Sequence, residues 1–304
     1  MTYVLQRLLH GGLVLLGVTL IVFGLTFLAG DPAATLAPLN TTKEELELWR
    51  HRMGLDRPVP VQYADFLSRA LRGDFGESLR HREPAMGLVL QRVPATLRLA
   101  ATAVFFALLL SVPLGILAAL HHDRLIDGLA RAVLLLGYSM PSFWLGILLI
   151  LAFAVNLRWL PSSGGTELQS LVLPGITISV SPAATLARLL RSSLLEVLGQ
   201  DYIRTAYAKG LARHRVLLTH ALKNAALPFV TMLGLQVSFL LSGAVVAETI
   251  FAYPGIGRLA VEAIATKDVP VIQAFVTVSA AIVVLVNLVV DLAYRWLDPR
   301  IQLS

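Results

Sequence analysis

The sequence contains no cysteine, which excludes disulfides, thiolate metal sites and cysteine nucleophiles. Charge is also scarce, because Asp, Glu, Lys and Arg make up only 14% of the 304 residues, against about 25% in soluble domains. Hydrophobic residues make up 56%, and the mean hydropathy is +0.73. A soluble core cannot bury that much apolar surface, so the composition predicts a chain that sits in a lipid bilayer.

Several kinds of chemistry lack the residues they need. A P-loop requires Gly-Lys followed by Ser or Thr, and none of the four lysines follows a glycine. The chain is therefore expected to have no ATPase site and no cofactor of its own. Ser139 has no histidine base within a span, which disfavours an intramembrane protease. His121 and His122 lack a spaced third ligand, so no metal site is predicted.

Six stretches free of Asp, Glu, Lys and Arg approach the roughly 20 residues that a helix needs to cross a bilayer. They are Gly11–Gly30, Leu99–Leu120, Ala132–Leu157, Leu168–Ala187, Asn224–Ala247 and Val269–Val290. The first is too long for a signal peptide and has no A-x-A cleavage site, so it is expected to be retained. The fourth contains Pro174 and Pro182 and is the weakest. The pattern predicts an all-α membrane protein with six transmembrane helices.

The distribution of Lys and Arg predicts the orientation of these spans. With a cytoplasmic N-terminus, the inner segments carry twelve such residues, and the short outer segments carry only Arg158, Arg258 and Lys267. Lys and Arg accumulate in cytoplasmic loops, so both termini are predicted to be cytoplasmic. The same rule accounts for the net charge of +6, and no nucleic-acid partner is expected.

The long outer segment after the first span has the pattern of two short amphipathic helices. Thr42 and Glu45 have the spacing of a capping box. A second helix carries an apolar face before Gly73, formed by Tyr63, Phe66, Leu67, Ala70 and Leu71. Such a segment fits either a scaffold cap or a docking surface for an external partner.

The densest cationic segment, "DYIRTAYAKGLARHRVLLTHALKNAALP", lies between two spans on the predicted inner side. Asp201 can cap a helix of about two turns, and Gly210 can end it. Tyr202, Ile203, Ala206 and Tyr207 share one face of that helix, whereas Arg204 and Lys209 point elsewhere. From the residues alone, the helix fits a groove on a soluble partner or the surface of an anionic bilayer.

This segment resembles the cytoplasmic EAA loop of ABC importer permeases. The residues that match are Arg204-Thr205-Ala206, Gly210 and Leu227-Pro228. Arg-Thr replaces the usual Glu-Ala, and Gly210 lies 18 positions before Pro228, two departures that resemble the dipeptide, oligopeptide and nickel branch. Other stretches resemble that branch in order along the chain: "GDFGESL", "YSMPSFWLGI", "ETIFAYPGIGRL", "PVIQ" and "DPRI".

The resemblance implies a type I ABC importer permease fold and a set of partners. Such a chain pairs with a second permease subunit, here expected to form a heterodimer, in the bacterial inner membrane. Two cytoplasmic ATPases would bind ATP and Mg beneath it, and an extracytoplasmic binding protein would deliver the substrate. The residues expected to couple the chain to the ATPases are Ile203, Arg204, Thr205, Ala206, Lys209 and Gly210. Ala206 would be small so that the ATPase cleft can close on it.

The domain boundaries follow from the spans and the resemblance. Residues 1–30 are expected to form the cytoplasmic N-terminus and the first helix, and residues 31–94 a small extracytoplasmic helical segment between helices 1 and 2. Residues 95–297 would be the permease core, with a coupling loop at residues 188–223, and residues 298–304 a cytoplasmic tail.

Polar residues inside the spans are candidates for the substrate pathway, since they should face a neighbouring helix or a water-filled cavity. The main candidates are Tyr138, Ser139, Ser142, Gln236, Ser238 and Ser242, with Ser179, Ser181 and Thr185 in the fourth span. For each Ser or Thr taken singly, helix packing is the favoured interpretation, and Gln236 is the stronger pathway candidate because an amide in hydrocarbon is costly without a partner. Short peptides are the first expected cargo, and nickel or a metal chelate is the alternative. A stand-alone secondary carrier is a more distant alternative, since no ionisable residue lies deep in a predicted span.

Overall fold

The computed structural model of the chain describes residues 2–28, 42–52, 55–165 and 167–297. Apart from a β-bridge between Glu77 and Pro84, the regular structure of these residues is helical, as predicted. The helices are α1 (Thr2–Leu28), α2 (Lys43–Arg52), α3 (Val59–Ala70), α4 (Ala85–Leu120), α5 (Leu125–Ser139), α6 (Ser142–Leu149), α7 (Leu168–Leu198), α8 (Asp201–Ala208), α9 (Arg213–Ile250), α10 (Ile256–Ala265) and α11 (Val269–Leu297). Helix α6 continues in π-helical geometry over Ile150–Asn156, and α9 contains a π-helical stretch at Val216–Ala221.

Four helices in the described part of the chain are long and apolar enough to cross a membrane. They are Ala85–Leu120, Leu168–Leu198, Arg213–Ile250 and Val269–Leu292. The bent pair of α5 and α6 makes a fifth if it counts as one span, and α1 contributes a shorter apolar stretch, Leu9–Gly24. The described helices therefore do not reproduce the predicted count of six, partly because Gly11–Gly30 ends outside the described residues.

The third predicted span, Ala132–Leu157, is not one continuous helix. The chain bends by 106° between α5 and α6. Met140 has an extended backbone with ψ 126°, because the ring of Pro141 disfavours the helical conformation of the residue before it. The carbonyl of Pro141 then accepts hydrogen bonds from the amides of Trp144 and Leu145, both at 3.1 Å, and a new helix begins.

Three helices extend well beyond the apolar stretches that predicted them. Helix α4 begins at Ala85 rather than Leu99, and α7 continues past Ala187 to Leu198. Helix α9 begins at Arg213. The predicted coupling loop 188–223 is therefore mostly helical, and only residues 199–200 and 209–212 connect helices within it. The charged residues that bounded the predicted spans do not end the helices, because a helix can continue beyond the hydrocarbon.

The chain forms two compact units. The first consists of residues 1–94 and 255–285, and the second of residues 95–254 and 286–304. The first unit also includes residues 255–285, which were expected in the permease core, because α10 and the start of α11 pack into its apolar core.

The core of the first unit is built around an aromatic cluster. The ring of Phe66 lies 5.7 Å from that of Phe23 and 6.1 Å from that of Phe75. Phe66 is the buried residue of α3, whereas Leu71, predicted on the same face, is 81% exposed because it lies just after the end of the helix. A buried hydrogen bond of 2.5 Å from Ser78 Oγ to Asp268 Oδ2 fixes the turn before α4.

The predicted capping box of α2 is confirmed. The amide of Thr42 donates to Glu45 Oε2 at 2.9 Å, and the amide of Glu45 donates to Thr42 Oγ1 at 3.3 Å. Hydrogen bonds from the backbone amide and from the side chain of Thr42 to the Glu45 carboxyl hold the pKa of Glu45 below its usual value. Thr42 and Glu45, three residues apart, therefore define the first turn of the helix.

Helix α7 is the centre of the second unit. It packs against α5, α6 and α9, and 72% of its apolar window is buried, although the sequence made it the weakest predicted span. Both prolines lie within the helix. Helix α4 approaches it so closely that a Cβ atom on Gly115 would lie 2.9 Å from the carbonyl oxygen of Ala187.

A buried ion pair joins α5 to α7. The side chain of Asp127 is fully buried and accepts hydrogen bonds from Arg191 Nε at 2.8 Å and Nη2 at 2.7 Å. The backbone amide of Asp123 donates to it at 3.1 Å, and Arg131 lies 3.5 Å away. This bidentate geometry fixes the rotation of both helices about their axes.

We expect Gly115→Ala to destabilise the protein, because the added methyl group meets backbone and Cβ atoms that cannot swing away. Overpacking of this kind costs about 1–3 kcal/mol, so the thermal unfolding midpoint of the detergent-purified protein should fall. Gly17→Ala is the matched control, since nothing lies within 4 Å of its added Cβ. Equal midpoints for the two variants would contradict the close contact of α4 with α7.

We expect Asp127→Leu and Arg191→Met each to lower stability by about 3 kcal/mol, because each leaves a partly or fully buried charge without its partner. The double variant should recover most of the loss, since it removes both charges together. Chemical denaturation of the four proteins measures the coupling. Additive losses would show that the two side chains do not stabilise each other.

Candidate functional site

A polar-lined cavity of about 410 Å³ lies in the second unit, beside the break between α5 and α6. Its walls come from that break, from one face of α7 and from one face of α9. The lining residues are Tyr138, Ser142, Ile178, Ser181, Pro182, Thr185, Arg188, Gln236, Phe239, Leu240 and Gly243. Those of α7 and of α9 recur every three or four positions, which is the spacing of one helix face.

Polar groups in this cavity have hydrogen-bonding capacity left over. Among the described residues, the hydrogen-bond partner of Gln236 Nε2 is the sulfur of Met232, at 3.7 Å, and a thioether is a weak acceptor. Thr185 Oγ1 donates back to the carbonyl of Ser181 at 3.3 Å. The cavity can therefore offer an amide and hydroxyl groups to a polar molecule inside it.

One cation lines the cavity. The guanidinium carbon of Arg188 lies 5.6 Å from the ring centre of Tyr138, within the range of a cation–π contact. The same two side chains also line a neighbouring cavity of about 330 Å³, together with Arg131 and Arg191. No carboxylate or imidazole is among the described residues that line the larger cavity. The described residues of the site offer hydrogen-bonding groups, a positive charge and an aromatic ring to a bound molecule.

The structure brings together three of the six main pathway candidates. Tyr138, Ser142 and Gln236 line the larger cavity. Ser238 Oγ donates to Asn287 Oδ1 at 2.9 Å, and Ser242 Oγ donates to the carbonyl of Ser238 at 3.4 Å, so these two serve helix contacts. Ser139 is exposed and lines neither of the two cavities.

Arg188 was missed because it was assigned to the cytoplasmic loop. The pattern could have indicated it, since Ser181, Thr185 and Arg188 follow the i, i+4, i+7 spacing of one helix face. Extending the fourth span by a single turn places Arg188 in line with the two polar residues that had been identified.

The short helix α8 is held against the rest of the second unit by two side chains. Ile203 is 1% and Ala206 7% exposed, and both belong to the apolar core that includes Leu194, Val216 and Ala221. The expected apolar face is therefore narrower than predicted, because Tyr202 and Tyr207 are 43% and 42% exposed. Ala206 is buried within the chain itself, and its expected role against an ATPase cleft stays a prediction.

The ends of α8 differ in part from the prediction. Gln200 precedes the first helical residue, Asp201, and no side chain caps the helix. At the other end Gly210 has a φ of +78°, as its predicted role requires. The amide of Gly210 donates to the carbonyl of Tyr207 at 2.9 Å, and the chain turns toward α9.

The outward face of α8 is cationic and free of tight pairing. The side chain of Arg204 is 80% exposed, and its one ion pair, to Asp201 at 3.4 Å, joins two exposed groups, so it contributes little to stability. Thr205, Lys209 and Gly210 are also exposed. Helix α8 thus presents exposed polar groups on one side, while its buried side holds it against the rest of the second unit.

Two family profiles together match nearly the whole chain. The profile described as "Binding-protein-dependent transport system inner membrane component" matches residues 111–303, and its N-terminal counterpart matches residues 1–100. The boundary between the two profiles lies within α4.

Curated relatives match over their full length. The probable peptide ABC transporter permease protein y4tP of Sinorhizobium fredii is 40% identical, with 99% of both chains covered. The glutathione transport system permease protein GsiC is 41% identical in Salmonella typhimurium and in Escherichia coli K12, again with 99% of both chains covered.

Solved structures share the fold at low sequence identity. An inward-facing MetNI methionine ABC transporter chain has a TM-score of 0.57 at 18% identity, covering 70% of this chain and 97% of its own. A chain of an amino acid ABC transporter solved with histidines has a TM-score of 0.55 at 13% identity, covering 69% and 94%. Full-length relatives and a shared fold lead to one conclusion. The chain belongs to the binding-protein-dependent transport system inner membrane component family, and within it to the dipeptide, oligopeptide and nickel branch of ABC importer permeases.

Proposed function

We propose that the chain forms half of the membrane pathway of an ATP-driven importer of short peptides. The observation that carries this proposal is the 40–41% identity over 99% of both chains to permeases named for peptide and for glutathione transport. Glutathione is itself a small peptide. The polar-lined cavity between α5, α7 and α9 is the candidate route for that cargo.

The partners follow from membership of the family. A second permease subunit, a paralogue of this chain, completes the pathway. Two cytoplasmic ATPases bind ATP and Mg, and an extracytoplasmic binding protein delivers the peptide. This chain contributes the route and the mechanical link, and the energy comes from the ATPases.

Helix α8 is the proposed link to an ATPase. Ile203 and Ala206 anchor it to the core, so a force applied to its outer face is passed to the helices behind it. The groups offered to the ATPase are the exposed Arg204, Thr205, Lys209 and Gly210. This assignment keeps the predicted segment and gives Ala206 the role of an anchor.

Transport then proceeds by alternating access. Nucleotide binding closes the ATPase pair, α8 moves with it, and the permease halves open the cavity to the outside. Hydrolysis reverses the motion and exposes the cavity to the cytoplasm. The ATPases bind the two states differently, and this difference in affinity drives the change.

Nickel is a poorer fit as cargo. A divalent cation would meet the guanidinium of Arg188 in a cavity without a lining carboxylate or imidazole. The described residues contain no group of three or more His, Asp or Glu side chains that could hold a metal ion. A stand-alone carrier is also disfavoured, since the full-length relatives are permeases of ABC and binding-protein-dependent systems.

We expect the double variant Arg204→Glu/Lys209→Glu to lose the ATPase subunits on affinity purification and to lower peptide uptake at least about tenfold, the size of effect of central interface residues. The helix should remain folded, because both side chains are exposed. Arg69→Glu/Arg72→Glu reverses two exposed cations at the end of α3 and should leave co-purification unchanged. Intact ATPase binding in the first variant would reject the assignment of α8.

The absence of cysteine allows a direct test of the orientation. We expect Thr205→Cys to react with a membrane-impermeant maleimide only in inside-out vesicles. Ser68→Cys, at an exposed position on α3, should react only in right-side-out vesicles. Labelling of both positions from the same side would overturn the proposed topology.

A further inference from the structure

We propose that Arg188 binds a carboxylate of the cargo, so that the cavity selects free-acid peptides over peptides without a negatively charged end. This inference rests on the proposed function and adds a ligand class and a specificity residue to it. Its starting point is the contrast between Arg188 and the two arginines beside it.

The neighbouring arginines share an acid and Arg188 has none. Arg191 forms two hydrogen bonds with the fully buried Asp127, and Arg131 lies 3.5 Å from the same carboxylate. Arg188 makes no ion pair with a carboxylate of the described residues, and its recorded partner is the ring of Tyr138. The ring face steadies the guanidinium and leaves its N–H edge free for a ligand.

The charge around the site favours an anion. Three arginines line the smaller cavity, and among the described residues the acids that interact with Arg191 are the buried Asp127 and, at longer range, Asp123. The larger cavity adds no acid. The surroundings of Arg188 thus carry an excess of positive charge, and cavity walls of low dielectric concentrate that field on a molecule entering the site.

The position of Arg188 along α7 places it at the edge of the hydrocarbon. It lies twenty positions after Leu168 at the start of the helix, which corresponds to about 30 Å of helix, close to the thickness of a bilayer core. A carboxylate that reaches this depth has lost part of its hydration, which is costly unless it is paired. A guanidinium replaces the lost water by forming a bidentate, charge-assisted pair with the carboxylate.

The rest of the cavity suits the remainder of a peptide. Gln236 and Ser142 can exchange hydrogen bonds with backbone amides, and Phe239, Leu240 and Ile178 supply apolar walls for side chains. The volume of about 410 Å³ lies within the ~300–1,000 Å³ range of small-molecule sites. A peptide with its terminal carboxylate on Arg188 therefore finds hydrogen-bonding groups for its backbone and apolar walls for its side chains.

The test uses the complete transporter in proteoliposomes, with binding protein, ATPases and both permeases. Uptake of trialanine is compared with that of trialanine amide, each at a concentration that saturates the binding protein. We expect the unmodified transporter to import the acid roughly tenfold faster than the amide, the order expected of a charge-assisted hydrogen bond. Arg188→Gln should bring the ratio of the two rates close to one by slowing the acid alone.

Two further variants separate binding from folding. Arg92→Gln removes a half-buried arginine of α4 that lines neither cavity and should keep the preference of the unmodified protein. Arg188→Lys keeps the positive charge and should keep a reduced preference for the acid, even if the glutamine variant is poorly folded.

The outcomes distinguish the inference from the proposed function. An unchanged acid-to-amide ratio in Arg188→Gln overturns the inference while peptide transport by the unmodified protein stands. Equal slowing of both peptides also overturns it, since it indicates a structural role or a contact with a lipid phosphate. If the unmodified transporter shows no ATP-dependent uptake of either peptide, the proposed function itself is overturned.

Discussion

Helix α7 can stay at the centre of the second unit only if its neighbours come close to it, because lipid offers no hydrophobic drive for helices to associate. Van der Waals contact and buried polar pairs have to supply the attraction. Gly115 lets α4 approach the backbone of α7, and Asp127 ties α5 to Arg191. The cavity lies where this packing is interrupted, beside the bend that precedes Pro141. Tight packing on most of α7 thus leaves one polar face open to a ligand.

Much of the fold was predictable from hydropathy, and the failures have physical causes. Apolar runs identified the long helices, but their ends were misplaced at Leu99 and Ala187, since a helix continues past the hydrocarbon wherever its backbone remains satisfied. The bend at Met140 depends on a local clash with Pro141 that an apolar window does not register. Pro174 and Pro182 made α7 look weak, although burial among other helices is the setting in which prolines are tolerated.

The candidate site was half predictable. Polar residues stand out in an apolar stretch, which is why Tyr138, Ser142 and Gln236 could be identified. The spacing of helix α8 placed Ile203 and Ala206 on one face, but it could not decide whether that face meets another protein or the chain's own core. Arg188 was hidden by the assumption that a charge marks the end of a span. Pairing between helices distant in sequence decides such questions, and one sequence does not contain it.

One consequence follows from the uninterrupted course of α7. Arg188 at the cavity and Leu194 in the core that holds α8 lie six residues apart on the same helix, or about 9 Å. Nothing between them can act as a joint. A displacement of the helix at Leu194 therefore reaches Arg188 as translation or rotation of a rigid helix. Any bending must therefore occur in a neighbouring element. The break at Met140–Pro141, across the cavity, is a point where the helical backbone is already interrupted.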